Sequence, residues 1–136
     1  RLAGSAGQSV SWRKLQQAAA GLNVDFLGQV TREAMPTFLR SLDVLAITSV
    51  CPENFPYVVL EAQAAGVPVV GSDLGGITER IDEDMRFRPG SAEKLAAALD
   101  HVRREATAVR LPDVPTAEKM LEATEAVYHQ VIGARR

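Results

Sequence analysis

Two acidic residues, Glu53 and Glu61, stand with seven residues between them in the run Glu53-Asn54-Phe55-Pro56-Tyr57-Val58-Val59-Leu60-Glu61. Pro56 suits the first turn of a helix, where its fixed φ is already helical and its missing N–H would have had no intrahelical partner. A helix starting at Pro56 or Tyr57 puts Glu61 on the second turn and leaves Glu53 in the loop before it. The unpaired amides around Phe55 to Val58 then lie between two carboxylates, and such a helix start attracts an anion, phosphate above all. Carboxylates beside a phosphate site make sense if they accept hydrogen bonds from sugar hydroxyls. A nucleotide sugar carries a ribose diol at one end, a diphosphate in the middle and a hexose at the other end, so acid, amide cluster and acid complement it in order.

The surrounding elements must hold these groups. Val44 to Ile47 is an apolar run, Ser49 to Asn54 a polar turn, and Tyr57 to Ala65 a helical pattern in which Val58, Val59, Ala62 and Ala65 recur at helical spacing. Gly66 suits the left-handed residue after the helix, Pro68 the start of a strand, and Val67 to Val70 is a second apolar run. Strand, helix and strand in this order close as a right-handed parallel crossover, and function in that architecture lies beyond the carboxyl ends of the strands. Glu53 falls there, and so does the loop Ser72-Asp73-Leu74-Gly75-Gly76 that opens the next helix. Gly75 and Gly76 have two open uses: letting the backbone approach a bound donor, or making a tight turn.

Glu53 to Ala62, then Ala65-Gly66-Val67-Pro68-Val69-Val70, and then Ser72-Asp73-Leu74-Gly75-Gly76-Ile77 with Glu79, resemble the donor-site signature of the group 1 retaining glycosyltransferases. The resemblance extends upstream over Val24 to Val30 and downstream over Arg88-Pro89-Gly90-Ser91 to Leu95. It implies an α/β fold, a Rossmann-like parallel sheet flanked by helices, forming the donor-binding half of a two-domain GT-B enzyme. It also implies that Glu53 contacts hydroxyls of the transferred hexose, that Glu61 holds the ribose diol, and that the backbone at Gly28 and Val30 meets the nucleobase. Asn54, Phe55, Pro56, Val58 and Val59 would then line the donor between the two acids. The implied partners are a UDP- or GDP-sugar, an acceptor sugar or lipid-linked acceptor, and an N-terminal acceptor domain. The family's Arg and Lys for the diphosphate, and its acceptor-domain histidine, have no counterpart in this sequence. Arg1-Leu2-Ala3-Gly4 resembles a strand already inside the domain, so the expectation is a donor-binding domain without its first strand–helix unit. The family's glycine-rich turn before Phe87 is replaced by Asp82-Glu83-Asp84-Met85.

Composition narrows the function classes. A chain of 136 residues supports one modest core but not two Rossmann domains, and 46% hydrophobic content is ordinary for a globular protein. The net charge of −2 removes the electrostatic case for nucleic acid as a partner. With one cysteine, Cys51, there is no internal disulfide, which fits a reducing cytoplasm, with any membrane association made peripherally through the acceptor domain. No apolar run reaches the roughly 18 residues of a membrane span. His101 reads as a surface residue, and His129 has no neighbour at metal-ligand spacing, so neither a protein-bound metal nor a cofactor is expected.

Along the chain, Leu2 and Ala3 end a strand, Gly4 to Val10 form a small-residue loop, and Ser11 is expected to cap a helix from Trp12 to Ala20. Trp12 reads as packing rather than base stacking. Val24 to Leu27 form a strand, Thr31 caps a helix whose first turn holds Pro36, and Phe38, Leu39 and Leu42 give its buried face. Arg32 is a solvated charge or a ligand contact on equal terms. Arg86 to Arg88 make a short last strand. Ser91 caps a helix with Leu95, Leu99 and Val102 on one face, and a loop with Pro112 and Pro115 leads to Thr116 and a final helix. That helix carries Met120, Leu121, Val127, Tyr128 and Val131 in a stripe expected to pack on its own domain; the alternative, implied by the resemblance, is a terminal helix that crosses back to the other domain and leaves part of the stripe exposed here.

The function expected is transfer of a sugar from a nucleotide-diphosphate sugar to an acceptor hydroxyl with retention. Two alternatives share the cleft: a nucleotide-sugar epimerase or hydrolase, separable by product analysis, and a non-catalytic nucleotide-sugar-binding module, separable by the length of the reading frame. A plain flavodoxin-like domain with another anion is the bland third reading, since a fold does not imply a function.

Overall fold

Short apolar runs separated by helix-length segments become parallel strands with crossover helices in the computed structural model of the chain, which describes residues 1–4, 10–105 and 116–133. The small-residue loop expected over Gly4 to Val10 and the Pro112–Pro115 loop fall largely or wholly outside the described residues. Two units divide the chain, Arg1–Asp43 and Val44–Arg136.

The first unit contains β1 (Leu2–Ala3), α1 (Val10–Ala18), β2 (Phe26–Gly28) and α2 (Met35–Arg40). β1 and β2 pair in parallel, Leu2 with Phe26 and Ala3 with Gly28, and the amide of Leu2 reaches the carbonyl of Asp25 at 2.7 Å. β2 begins later than Val24 because the Val24 amide closes a turn on the Leu22 carbonyl at 2.9 Å. α1 starts at Val10, so Ser11 lies in its first turn and not at its cap. Trp12 packs edge-on against Phe26 with ring centroids 5.1 Å apart, the packing role expected of it. Thr31 accepts the Ala34 amide at 3.3 Å in a turn that precedes α2, and Pro36 lies in the first turn of the helix proper. A backbone amide and the Thr31 hydroxyl hold the Glu33 carboxyl below the usual range. Leu39 anchors α2 in full burial.

The second unit contains β3 (Leu45–Ile47), α3 (Tyr57–Ala64), β4 (Val69–Ser72), β5 (Arg86–Phe87), α4 (Ala92–Arg104) and α5 (Ala117–Gly133). Its sheet runs β3-β4-β5, all parallel, with Ile47 beside Gly71 and Ser72 beside Phe87. β4 starts after Pro68, which has no N–H to donate, and extends to Ser72, one of the residues expected in the loop. Every residue of this central strand is buried, as a strand paired on both edges and covered by helices requires. Val70 and Phe87 pack with Ala98 and Val102 of α4, flanked by Val44, Met85, Leu95 and Leu99. Burying each large apolar side chain there contributes about 1.5–3 kcal/mol. Strand alternation turns Gly71 away from this cluster. A Cβ on it would stand 2.7 Å from Ile77 and 2.8 Å from Ile81, so two isoleucines fill the space a side chain would need. On α3, Val59 and Ala62 are fully buried.

Beyond β4 the helix expected after Gly76 is a single 3₁₀ turn, Gly75–Ile77. Past that turn the Arg86 guanidinium clasps two carbonyls, reaching Ile81 at 2.8 and 3.0 Å and also Thr78. The acidic run forms a second 3₁₀ turn, Glu83–Met85, and His101 lies 3.3 Å from the Asp84 carboxylate. Ser91 and Thr116 cap α4 and α5 as expected, accepting the amides of Lys94 and Lys119 at 3.3 Å each. The stripe on α5 differs from expectation: Met120, Leu121, Val127, Tyr128 and Val131 are 52–65% exposed. Burial needs a facing surface, and every described residue of α5 is solvent-exposed.

Candidate functional site

The carboxyl end of β3 feeds the loop that carries Glu53, and α3 begins directly after it. Ser72 at the end of β4 is fully buried, and its hydroxyl donates to the Ile47 carbonyl at 3.3 Å, pinning the point where the chain leaves β3. Ser49, two residues further on, donates its hydroxyl to Oε1 of Glu53. The acid is half-buried and held by side-chain and main-chain bonds at once, because the Gly76 amide donates to the Glu53 carbonyl at 2.7 Å.

Gly75 and Gly76 have a use outside the two weighed from sequence. Gly75 has φ +50, and a Cβ there would lie 2.7 Å from the Glu53 carbonyl oxygen. A Cβ on Gly76 would stand 2.9 Å from the Asn54 carbonyl carbon and would overlap its oxygen. The pair therefore lets one strand-end loop lie flat against another, backbone on backbone. The glycines cannot be assigned this role from local pattern, since their partners are set by tertiary approach; for Ser49 the hint is its place four residues before Glu53.

α3 starts with Pro56 as its cap and no side chain bonding its first amides. Among the described residues, the amides of Tyr57 and Val58 have no backbone acceptor, whereas the Val59 amide donates to the Pro56 carbonyl at 3.0 Å. Unpaired amides at a helix start are an anion site in waiting. Glu61 lies on the second turn, exposed, as expected. Two of the lining residues play other parts: Val59 is wholly buried with its amide used, and Pro56 is buried without an N–H to offer, so both serve packing and the direction of the helix. Phe55 is exposed, its ring edge-on to Tyr57 at 5.0 Å, and the Arg80 guanidinium sits 5.0 Å from the Phe55 centroid. Gln63 of α3 steadies Arg80 by donating to its carbonyl at 2.7 Å. Arg80 thus brings a cation to the helix start that sequence reading passed over. Gly28 and Val30 belong to the first unit; Gly28 ends β2 with φ +68, and both are half-buried. Among the described residues, no cluster of three or more His, Cys, Asp or Glu could hold a metal, and no helix is long and apolar enough to cross a membrane.

The model for glycosyl transferases group 1 matches residues 1–105. The chain belongs to that family. Among relatives of this group 1 glycosyltransferase chain is an uncharacterized glycosyltransferase of Methanocaldococcus jannaschii, 39% identical over 82 residues, which are 58% of this chain and 21% of that protein. Another is the phosphatidyl-myo-inositol mannosyltransferase of Mycobacterium leprae, 43% identical over 63 residues, 45% of this chain and 17% of the relative. The crystal structure of Anabaena HepE in complex with UDP-glucose superimposes with a TM-score of 0.69 at 27% identity, over 77% of this chain and 31% of HepE. The chain therefore spans about a fifth of the length of these curated relatives and about a third of HepE. The α/β architecture with parallel sheets is that of the GT-B glycosyltransferases.

Proposed function

We propose that this chain supplies the donor site of a retaining glycosyltransferase that moves a hexose from a UDP- or GDP-sugar to a sugar or lipid-linked acceptor carried by a separate N-terminal domain. The observation that carries the reading is Glu53, clamped in the loop before a helix start whose first amides are unpaired, with Glu61 one turn beyond. The complex of HepE with UDP-glucose supports a nucleotide-sugar ligand.

In this reading the amides of Tyr57 and Val58 receive the diphosphate, Glu61 accepts from the ribose diol, and Glu53 accepts from hydroxyls of the hexose. As the bond from the anomeric carbon to the diphosphate breaks, its electron pair leaves with the phosphate oxygen, where fixed amide dipoles stabilise the charge. The acceptor hydroxyl attacks from the same face and passes its proton to the departing diphosphate oxygen, and holding both reactants in place supplies much of the rate. Glu53 acts by orientation and charge on the transferred hexose.

The test is a pair of substitutions in the complete enzyme, assayed with UDP-glucose and GDP-mannose. Glu61→Ala should weaken donor affinity about tenfold or more, the size of a lost charged hydrogen bond, with kcat little changed. Glu53→Ala should depress kcat more than affinity. Wild-type kinetics in both variants would remove the assignment.

A further inference from the structure

Glu53 has two carboxylate oxygens, and the fold has already used one. The Ser49 hydroxyl donates to Oε1, and among the described residues no side chain donates to Oε2. Ser49 is itself fixed, standing two residues beyond β3, whose last residue pairs with Gly71 and has its carbonyl held by the buried Ser72. The main chain of Glu53 is fixed from the other side by the Gly76 amide, 2.7 Å from its carbonyl. Side chain and main chain are thus tied to the loop after β3 and to the 3₁₀ turn after β4, which leaves the carboxylate little freedom to turn.

Resting on the donor-site reading above, we propose that Ser49 is a positioning residue for sugar transfer: its hydroxyl occupies Oε1 of Glu53 so that Oε2 alone meets the sugar. A carboxylate free to rotate would share its lone pairs between water and sugar in several orientations. One held by a serine presents a single acceptor in a single direction. Because the reacting geometry and not the resting donor complex depends on that direction, removing the hydroxyl should act on turnover more than on donor affinity.

The experiment uses the complete enzyme with UDP-glucose and GDP-mannose as donors, measuring kcat, KM and thermal unfolding for Ser49→Ala, Ser49→Thr and Ser49→Val, each alone and with Glu53→Gln. Expected are a loss of kcat of about ten- to a hundredfold in Ser49→Ala with KM within a few-fold, the range for one hydrogen bond to a charged group. Ser49→Thr keeps the hydroxyl and should recover most of the rate, whereas Ser49→Val, of the same size, should not. In the Glu53→Gln background the Ser49 substitutions should cost little more, since their effect passes through the acid. Should Ser49→Ala fold poorly, the Thr and Val variants still separate hydroxyl from volume. The proposal is overturned if Ser49→Val matches Ser49→Thr, or if the loss is the same size with and without Glu53→Gln, which would mark Ser49 as a structural residue. A Glu53→Gln enzyme of normal turnover would instead sink the donor-site reading, and this inference with it.

Discussion

Gly76→Ala is the sharpest perturbation of the loop that carries Glu53. The added methyl would lie 2.9 Å from the Asn54 carbonyl carbon and nearer still to its oxygen, whereas ordinary contact begins at 3.4 Å. Both partners are backbone, so no flexible side chain can swing away. The Asn54 peptide must retreat by roughly 0.5–1 Å, taking the Glu53 carbonyl and the Gly76 amide bond with it. Overpacking costs about 1–3 kcal/mol, and weakening one backbone hydrogen bond adds about 1 kcal/mol, an amount a domain of ordinary stability survives. A displacement of about 1 Å in a positioning group costs on the order of a hundredfold in rate. Gly90→Ala is the control: with φ +74 and no atom within 4 Å of its Cβ position, it bears only the left-handed strain, about 1–2 kcal/mol. Measured on the complete enzyme, Gly76→Ala should lose kcat about a hundredfold together with some thermal stability, and Gly90→Ala should lose stability alone. Equal kcat in the two variants would refute the reasoning.

Two further outcomes follow from the fold. Gly71→Ala forces Ile77 and Ile81 off their positions at 2.7 and 2.8 Å, and chemical denaturation should show a loss of about 1–3 kcal/mol. The Glu118 carboxyl is held below its ordinary range by a backbone amide first and by the Thr116 hydroxyl second. A depressed carboxylate stabilises the folded state above its unfolded pKa and loses that contribution as pH falls through the folded one. NMR titration should therefore place the Glu118 midpoint below that of an ordinary glutamate, and Thr116→Ala should raise it part of the way back; an unchanged midpoint would show that the Thr116 hydroxyl does not hold this carboxylate.

What was legible in the sequence was what local chemistry decides. Pro56 marked the start of α3, Ser91 and Thr116 marked two caps, and Leu95, Leu99 and Val102 marked the buried face of α4. The crossover unit from β3 through α3 to β4 followed from two apolar runs and the helical pattern between them. Boundaries moved where a long-range partner intervened: β4 extends to Ser72 because that residue pairs with Phe87 and bonds Ile47. In place of the helix expected after Gly76 there is one 3₁₀ turn, followed by carbonyls of Thr78 and Ile81 that bond Arg86 from a later strand. Glu53 and Glu61 could be named from type and spacing alone. Gly76 and Arg80 could not, since each acts on a partner brought near only by folding, and Ser49 offered only its place four residues before Glu53.

The most direct measurement is a crystal structure of the complete enzyme with an intact nucleotide sugar bound, UDP-glucose first. A hexose hydroxyl on Oε2 of Glu53, the diphosphate on the amides of Tyr57 and Val58, and the ribose diol on Glu61 is the arrangement expected. A donor bound with its diphosphate away from the start of α3, or with neither carboxylate within hydrogen-bond reach of a sugar hydroxyl, would contradict it.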